Sequence, residues 1–264
     1  MMDRRPDIHL AGVAKSFAGA TRPVEAVAPV DLVLAGGQMT ALVGPSGCGK
    51  STLLRLIAGL EPPSEGRITI GTESPGELRQ RAGLAVAFQD AALLPWRSVE
   101  GNIALGRALA RKPRDPGMIR ELMSLVGLSG FERNRPAELS GGMRQRAAIA
   151  RALAGEPELL LLDEPFAAVD ALTRDRLNTE LPPLWEARGA TSILVTHSVA
   201  EAVRLSDRIL VLTPRPARIA ADIPVPLPRP RGPEVLASEA FRALCTEVTD
   251  ALRDHQYPES VAAQ

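Results

Sequence analysis

Cysteine is scarce in this chain, and neither sign of charge is in excess. Only two of the 264 residues are cysteines, Cys48 and Cys245. They cannot build a disulfide framework, so a reducing compartment is expected. Lysine plus arginine and aspartate plus glutamate each number 31, which makes the formal net charge zero. Electrostatic binding to nucleic acid or anionic lipid is therefore not the leading interpretation, and no nucleic-acid partner is expected.

Long hydrophobic runs are also missing. The longest stretch without a charge, residues 32–49, is 18 residues long, but it contains five glycines and a proline and is no membrane span. Residues 1–7 lack the apolar core of a signal peptide. We therefore expect a cytosolic chain that reaches a membrane only through a partner.

Strand and helix patterns alternate along the chain. This alternation favours an α/β fold with a mainly parallel core sheet, in one large domain or one domain with an embedded subdomain. Residues 8–43 are predicted to form short strands, as an antiparallel flank. Apolar residues at helical spacing, punctuated by proline and glycine, predict a helical insert within residues 90–137.

The second half of the chain ends in a compositionally separate tail. One helix is predicted over Leu172–Arg188, before the tail. Residues 214–233 contain seven prolines, which predicts an extended arm rather than a packed element. A last helix is expected over Ser238–Arg253, and the residues beyond the arm are too few for an independent domain.

A glycine-rich segment between a predicted strand and a predicted helix fits the pattern of a phosphate-binding loop. Its residues are Gly44, Pro45, Ser46, Gly47, Cys48, Gly49, Lys50, Ser51 and Thr52. Gly47 and Gly49 let the backbone curl so that successive N–H groups converge on one phosphate. Lys50 supplies an ammonium for the β and γ oxygens, and the Ser51 hydroxyl is a hard ligand suited to Mg²⁺. Cys48 stands at a free position of the pattern, where a small filler side chain is expected.

Two adjacent carboxylates follow the apolar strand predicted at Leu159–Leu162. An acid at the carboxyl end of a buried parallel strand lies beside the phosphate loop in this fold class. Asp163 is therefore expected to hold Mg²⁺ through water. Glu164 is a candidate to accept a hydrogen bond from the water that attacks the γ-phosphate, and a solvated acidic turn is the alternative for both.

Two polar residues end neighbouring predicted strands in the same way. His197 follows the strand at Ser192–Thr196, and a histidine there could donate to the γ-phosphate oxygens. Gln89 follows the strand at Leu84–Phe88. On spacing alone, each is as well explained by an incidental loop position.

A second candidate anion cradle opens the helix predicted at Gly141–Ala154. Ser140 is a good N-cap, and Gly141 and Gly142 expose backbone N–H groups at the positive end of that helix. The phosphate loop already provides one binding site for the phosphates of a nucleotide. The element is therefore either a simple capped helix or the partner of a nucleotide held by another copy of the chain.

Taken together, these motifs resemble those of the ATP-binding cassette (ABC) ATPases. The phosphate loop, Gln89, LSGGMRQR at 139–146, LLLLDEP at 159–165, AAVD at 167–170 and His197 occur in that family's order. The resemblance implies a P-loop ABC ATPase domain over residues 1–213, with a helical subdomain at about 90–155. Residues 214–264 would then be the proline-rich arm and a C-terminal helix.

The resemblance also implies roles for single residues. Phe17 matches the aromatic residue that stacks on adenine, and Gln89 matches a contact of Mg²⁺ and water. The family's pattern places Ser140–Gly142 against the ATP of a partner copy. Asp163 would be the metal-binding acid and Glu164 the catalytic carboxylate. The remaining matches are Asp170, the acid of the loop after the DEP motif, and His197, the switch histidine.

Two further segments are similar to those of nitrate, sulfonate and taurine importer ATPases. They are Leu-Pro-Trp-Arg at 94–97 and Pro-Arg-Pro-x-Arg-Ile at 214–219. The implied protein is a homodimeric ATPase that binds ATP and Mg²⁺. It would energise uptake of a small oxyanion through a separate permease fed by a periplasmic solute-binding protein. It would lie on the cytoplasmic side of the inner membrane, held there by the permease.

Other interpretations stay open at this point. The same segments occur in importers of pyrimidine precursors, and a non-transport ABC ATPase is a less favoured alternative. Pro95 and Trp96 are expected to contact the membrane subunit, and a locally buried Trp96 is the competing interpretation.

Overall fold

In the computed structural model, which describes residues 5–19 and 22–256, two sheets form the body of the protein. The smaller sheet is antiparallel, in the order β2-β1-β4. Its strands are β1 (Ile8–Phe17), β2 (Val24–Leu34) and β4 (Glu65–Ile70). The antiparallel flank predicted within residues 8–43 is confirmed for β1 and β2, but Met39–Val43 belongs to the other sheet, and β4 supplies the third strand of the flank.

The larger sheet has six strands in the order β5-β6-β7-β3-β8-β9. These are β3 (Met39–Val43), β5 (Leu84–Ala87), β6 (Leu159–Asp163), β7 (Thr191–Val195), β8 (Arg208–Leu212) and β9 (Ile219–Pro224). Neighbours from β5 to β8 pair in parallel, and β9 pairs with β8 in antiparallel register. The prediction of a mainly parallel core sheet is confirmed.

The central strand β6 shows why the core sheet is apolar on both faces. All five of its residues are buried. Leu160 and Leu162 pack into a cluster with the helices, whereas Leu159 and Leu161 pack into a cluster with the small sheet. Side chains alternate between the two faces of a strand, so four consecutive leucines serve two separate cores.

Helices fill the connections between strands. They are α1 (Lys50–Ile57), α2 (Pro75–Gln80), α3 (Val99–Leu109), α4 (Pro116–Leu125), α5 (Gly141–Ala154), α6 (Ala171–Glu180), α7 (Pro182–Arg188), α8 (Val199–Leu205), α9 (Pro233–Leu236) and α10 (Glu239–Gln256), with a 3₁₀ turn at Pro136–Glu138. Helices α3, α4 and α5 pack on one another through residues such as Ile103, Met123 and Ile149. The predicted helical insert is therefore present. Within the described ranges, no helix has the length and the apolar run that a membrane crossing requires.

Two predictions about elements are wrong. The helix expected over Leu172–Arg188 is split into α6 and α7, because Pro182 has no N–H to continue the first helix and instead begins the second. The segment 214–233 is not an unpacked arm, since Ile219–Pro224 forms the edge strand of the core sheet. Pro216 precedes the paired section and Pro224 ends it opposite Arg208, and an edge strand tolerates proline. The division at residue 213 itself stays a prediction.

The end of the proline-rich segment is fastened by a buried arginine. Arg231 is 7% exposed and donates to the carbonyl oxygens of Val203 (2.8 Å), Ser206 (2.6 Å) and Val225 (3.1 Å). Burial lowers the pKa of Arg231 to about 10, so the guanidinium remains charged at neutral pH. This charge ties the carboxyl end of α8 to the segment after β9.

We expect Arg231→Ala to destabilise the protein, because several buried carbonyls lose a charged donor. Hydrogen bonds to charged groups contribute roughly 1.5–3 kcal/mol each, so a loss of about 3 kcal/mol is expected. Such a loss corresponds to a drop of roughly 5–10 °C in melting temperature for a chain of this size. Thermal unfolding followed by circular dichroism measures it. Arg253→Ala is the control, since Arg253 is exposed and its ion pair in the described structure is with Asp250 on its own helix. Equal melting temperatures for the two variants would contradict the assignment.

Candidate functional site

The phosphate-binding loop connects β3 to α1, as predicted. Two of its glycines have backbone conformations that other residues rarely adopt, with φ of +72° at Gly47 and +122° at Gly49. A Cβ atom at Gly49 would also lie 2.7 Å from the carbonyl oxygen of Ala26. Glycine at position 49 is thus required both by its backbone angle and by the close approach of β2.

The ammonium of Lys50 is held inside the loop. Its Nζ donates to the carbonyl oxygens of Gly44 at 2.7 Å and Pro45 at 2.8 Å, and the residue is only 6% exposed. Neutral carbonyls are weaker acceptors for an ammonium than a phosphate oxygen. The lysine is therefore positioned to exchange these partners for an anion that enters the loop.

Ser51 and Asp163 meet beside the loop. The Ser51 hydroxyl donates to Oδ1 of Asp163 over 2.9 Å, and Asp163 is 4% exposed. Burial, and to a lesser degree the neighbouring charge of Glu164, raises the pKa of Asp163 above its usual range, although the hydrogen bond from Ser51 opposes the shift. A hydroxyl and a carboxylate are the hard oxygen ligands that Mg²⁺ prefers.

Three more of the predicted residues converge next to this pair. Nε2 of Gln89 donates to Oε2 of Glu164 over 3.3 Å, and Nδ1 of His197 lies 3.6 Å from the same oxygen. These residues follow β5, β6 and β7, which are neighbours in the sheet. Glu164 has φ of +46°, a strained value for a residue other than glycine. Its N–H group is anchored by the carbonyl oxygen of Val195 at 2.9 Å.

An open pocket of about 540 Å³ joins the loop to these polar residues. It is lined by Ser46, Gly47, Gly49, Lys50, Ser51, Thr52, Gln89, Glu164, His197 and Arg215. Nine of these ten residues were predicted from the sequence as site residues. The tenth, Arg215, was missed, because the Pro-Arg-Pro element was interpreted only as a subgroup feature.

Other predicted binding residues lie outside the lining. The side chain of Cys48 is 1% exposed and packs in the apolar cluster below the loop, so it is the filler expected at that position. Phe17 is 39% exposed at the end of β1, and the ammonium of Lys15 stands 4.9 Å from the centre of its ring. Phe17 does not line the pocket described above, and its role at adenine stays a prediction.

The second candidate cradle faces solvent rather than the pocket of its own chain. Ser140 caps α5 by accepting from the N–H of Met143 at 3.2 Å, and none of Ser140, Gly141 and Gly142 lines the pocket. A Cβ atom at Gly142 would lie 2.7 Å from the carbonyl oxygen of Ala168. This close approach packs the start of α5 on the loop that follows Glu164.

The acid of that loop, Asp170, also acts as a helix cap. Its Oδ1 accepts from the N–H of Thr173 at 3.0 Å, and this bond lowers the pKa of Asp170. Leu172, two residues further, is 86% exposed. Its large apolar side chain therefore faces solvent and not the core.

Comparisons with known proteins agree with these motifs. The family model of ABC transporters matches residues 27–167. Over 237 residues the chain is 48% identical to the aliphatic sulfonates import ATP-binding protein SsuB 1 of Burkholderia lata, which covers 90% of this chain and 69% of the relative. It is also 44% identical over 227 residues to an uncharacterized ABC transporter ATP-binding protein of Methanocaldococcus jannaschii, covering 85% and 84%.

Solved structures show the same fold. A dimeric ATP-binding cassette in a post-hydrolysis state, bound to ADP and Pi, is 28% identical to this chain, with a TM-score of 0.75 and coverage of 83% of this chain and 98% of that one. A second dimeric ABC transporter cassette gives 29% identity and a TM-score of 0.76 with the same coverage. The resemblance inferred from the motifs is therefore confirmed, and the chain belongs to the ABC transporter family as one of its ATP-binding cassettes.

Proposed function

We propose that this chain is the ATP-binding and ATP-hydrolysing subunit of an importer for aliphatic sulfonates. The observation that carries the proposal is the 48% identity, over 90% of the chain, to a protein named for that import. The pocket supports it, because a phosphate loop, a metal-binding pair and a carboxylate with two polar neighbours occur in one place. Taurine is itself an aliphatic sulfonate and falls within this proposal, whereas nitrate and pyrimidine precursors are the alternative solutes.

The residues of the pocket have separate tasks in the proposed reaction. Backbone N–H groups of the loop and the ammonium of Lys50 bind the β- and γ-phosphates. Glu164 accepts a hydrogen bond, and then a proton, from the attacking water. Gln89 and His197 hold the carboxylate of Glu164 in place, and His197 also donates to the γ-phosphate oxygens. Each task uses a contact or a position that the pocket already provides.

Mg²⁺ fits the pair formed by Ser51 and Asp163. Within residues 5–19 and 22–256, no group of three histidine, cysteine or acidic residues could hold a metal ion on its own. The chain therefore supplies only the hydroxyl of Ser51 and the carboxylate of Asp163, with Gln89 as a further contact, and the nucleotide supplies phosphate oxygens. When bound, the ion neutralises negative charge on the phosphates.

A second copy of the chain is proposed to complete each ATP site. The exposed Ser140–Gly142 cradle and the 86% exposed Leu172 are unused surfaces that suit such a dimer. The two similar cassettes of known structure are dimers. ATP-dependent association of two copies of this chain would couple ATP binding to a conformational change.

A membrane permease is the second proposed partner, and it would hold the chain at the cytoplasmic face of the inner membrane. A solute-binding protein would deliver the sulfonate from the periplasm. An apolar groove of about 290 Å³ between β5 and α3 suits a helix of the permease. Its walls include Leu84, Val86 and Leu109, and the side chain of Leu109 is 65% exposed.

The loop before α3 presents a further permease contact. Asn102, fully buried, bonds both the N–H (2.7 Å) and the carbonyl (3.2 Å) of Leu94 and so fixes the shape of this loop. Trp96, at its tip, is 69% exposed, which excludes the interpretation as a buried core residue. A large aromatic residue on a rigid loop is a typical anchor at interfaces.

Uptake tests the proposed solute directly. We expect cells that lack this chain to lose energy-dependent uptake of a labelled aliphatic sulfonate, and the wild-type chain to restore it. Glu164→Gln should restore nothing, because losing a general base typically costs about 10²–10⁴ in rate. The purified variant should still bind ATP, since Lys50 and the loop are unchanged. Restored uptake of nitrate or a pyrimidine precursor, with no uptake of the sulfonate, would contradict the solute assignment. Near-normal turnover by Glu164→Gln would contradict the role of Glu164.

We expect Asp163→Asn to raise the melting temperature of the chain and to lower its ATP hydrolysis. Burial raises the pKa of Asp163 in the folded chain, so its protonated form suits the fold better than its charged form. That stabilising contribution is complete below the unfolded pKa of about 3.9 and is lost as pH rises through the folded pKa. The neutral asparagine avoids this loss. The nucleotide-free variant should therefore melt at a higher temperature than wild type at pH 7, with the gap closing near pH 4, while its Mg²⁺-dependent ATP hydrolysis falls sharply. A variant that melts lower at pH 7 would contradict the cause assigned to the shift.

Trp96→Ala should weaken assembly with the permease and leave the isolated chain unchanged. Truncating a buried aromatic anchor often costs about 2 kcal/mol or more, roughly a 30-fold loss of affinity. Co-purification from membranes with the tagged chain measures assembly. Phe131→Ala is the matched control, because Phe131 is an aromatic residue 39% exposed on another loop. A fall in the melting temperature of the isolated Trp96→Ala chain, with assembly intact, would contradict the interface.

A further inference from the structure

The turn between β8 and β9 takes no part in the function proposed so far, although it borders the phosphate loop. It spans residues 213–218 and is closed by its own ends. The N–H of Thr213 donates to the carbonyl oxygen of Arg218 at 3.0 Å, and the N–H of Arg218 donates to the hydroxyl oxygen of Thr213 at 3.0 Å. The turn therefore has a defined shape of its own.

The turn is also fixed in position beside the loop. Ala217 is 2% exposed, donates through its N–H to the carbonyl of Ala26 (3.0 Å) and accepts from the N–H of Ala28 (3.1 Å). A Cβ atom at Gly49 would lie 3.1 Å from the Cβ of Ala217. Strand β2, the turn and the phosphate loop are thus in direct contact, so the turn is held in place next to the pocket.

Arg215 projects from this wall toward the site of the phosphates. Its Nη2 donates to the carbonyl oxygen of Gly47 over 2.9 Å, and the side chain lines the same pocket as Lys50 and Ser46. In the described part of the chain, this is its one hydrogen bond, and it has no ion pair with a carboxylate. A guanidinium has five N–H donors, so most of them are left for a ligand.

We propose that Arg215 is a phosphate-binding residue of the nucleotide site, which contacts the polyphosphate of ATP while Gly47 holds its side chain in place. This inference rests on the proposed function, because that proposal assigns the pocket to a nucleotide. A planar guanidinium matches phosphate oxygens in a two-bond arrangement that an ammonium cannot make. With Lys50, it gives the pocket a second cation and favours nucleotides with more than one phosphate over a monophosphate.

Nucleotide titrations of the full chain with ATP, ADP and AMP, in the presence of Mg²⁺, test the proposal. Arg215→Ala should weaken ATP binding about 10-fold, as expected for one charge-assisted contact. AMP binding should change less than about 2-fold, because its single phosphate does not extend along the loop. The melting temperature without nucleotide should match wild type. Arg218→Ala is the control, since it removes an exposed arginine of the same turn whose side chain has no hydrogen bond in the described structure.

Two further variants separate charge from simple support of the loop. Arg215→Lys should recover part of the ATP affinity, and its recovery should fall as salt is raised. Arg215→Gln keeps a donor for Gly47 without the charge and should behave like the alanine variant. The proposal is overturned if Arg215→Gln binds ATP like wild type, if Arg215→Ala loses no ATP affinity, or if it loses ATP and AMP affinity equally. If the wild-type chain and Arg218→Ala both fail to bind ATP, the proposed function fails and this inference fails with it.

Discussion

Parallel pairing of four neighbouring strands is the constraint on which the site depends. In the order β5-β6-β7-β3, each strand ends at the same edge of the sheet, and each is followed by a residue or loop of the pocket. Gln89, Glu164, His197 and the phosphate loop are spread over more than 150 positions of sequence, yet hydrogen-bonded registers bring them together. Antiparallel pairing would send alternate strand ends to the opposite edge. The buried, apolar strands that keep this sheet in register therefore determine the geometry of the polar pocket.

The pocket contains several groups that would be more stable elsewhere. Asp163 is buried and its pKa is raised, Glu164 has a strained backbone, and the ammonium of Lys50 donates to the neutral carbonyls of Gly44 and Pro45. Each of these costs folding free energy, and each suits the binding of a metal-bound anion. The surrounding core offsets the cost, as β6 buries leucines on both of its faces. These features of the pocket therefore suit the binding of a ligand more than the stability of the fold.

Local motifs made most of this site predictable, and tertiary pairing made the rest unpredictable. The curl of the phosphate loop follows from glycines within it, and the position of Asp163 follows from the strand just before it, so sequence reasoning located both. The strand after β8 and the position of Arg215 were not predicted, because both depend on contacts beyond the local sequence. Proline composition hid the strand Ile219–Pro224, which exists because β8 offers an open edge. Arg215 was missed because its contact with Gly47 joins positions 168 residues apart. Phe17 and Asp170 carry expectations that come from the family and not from the geometry of this chain.

The close approach of Gly142 to Ala168 connects the proposed dimer contact at Ser140–Gly142 with the proposed catalytic residue Glu164. Ala168 belongs to the short loop that begins just after Glu164 and ends at Asp170, the cap of α6. A side chain at position 142 would push this loop away and disturb the strained turn at Glu164. The start of α5, where Ser140 and Gly141 are exposed, is thus packed against the loop that follows Glu164, the proposed catalytic carboxylate. Contact of a partner with Ser140–Gly142 would therefore be felt at Glu164 of the same chain through a few tightly packed backbone atoms. In the proposed dimer, such short-range packing would couple association of two copies to hydrolysis in each of them without a distant conformational route.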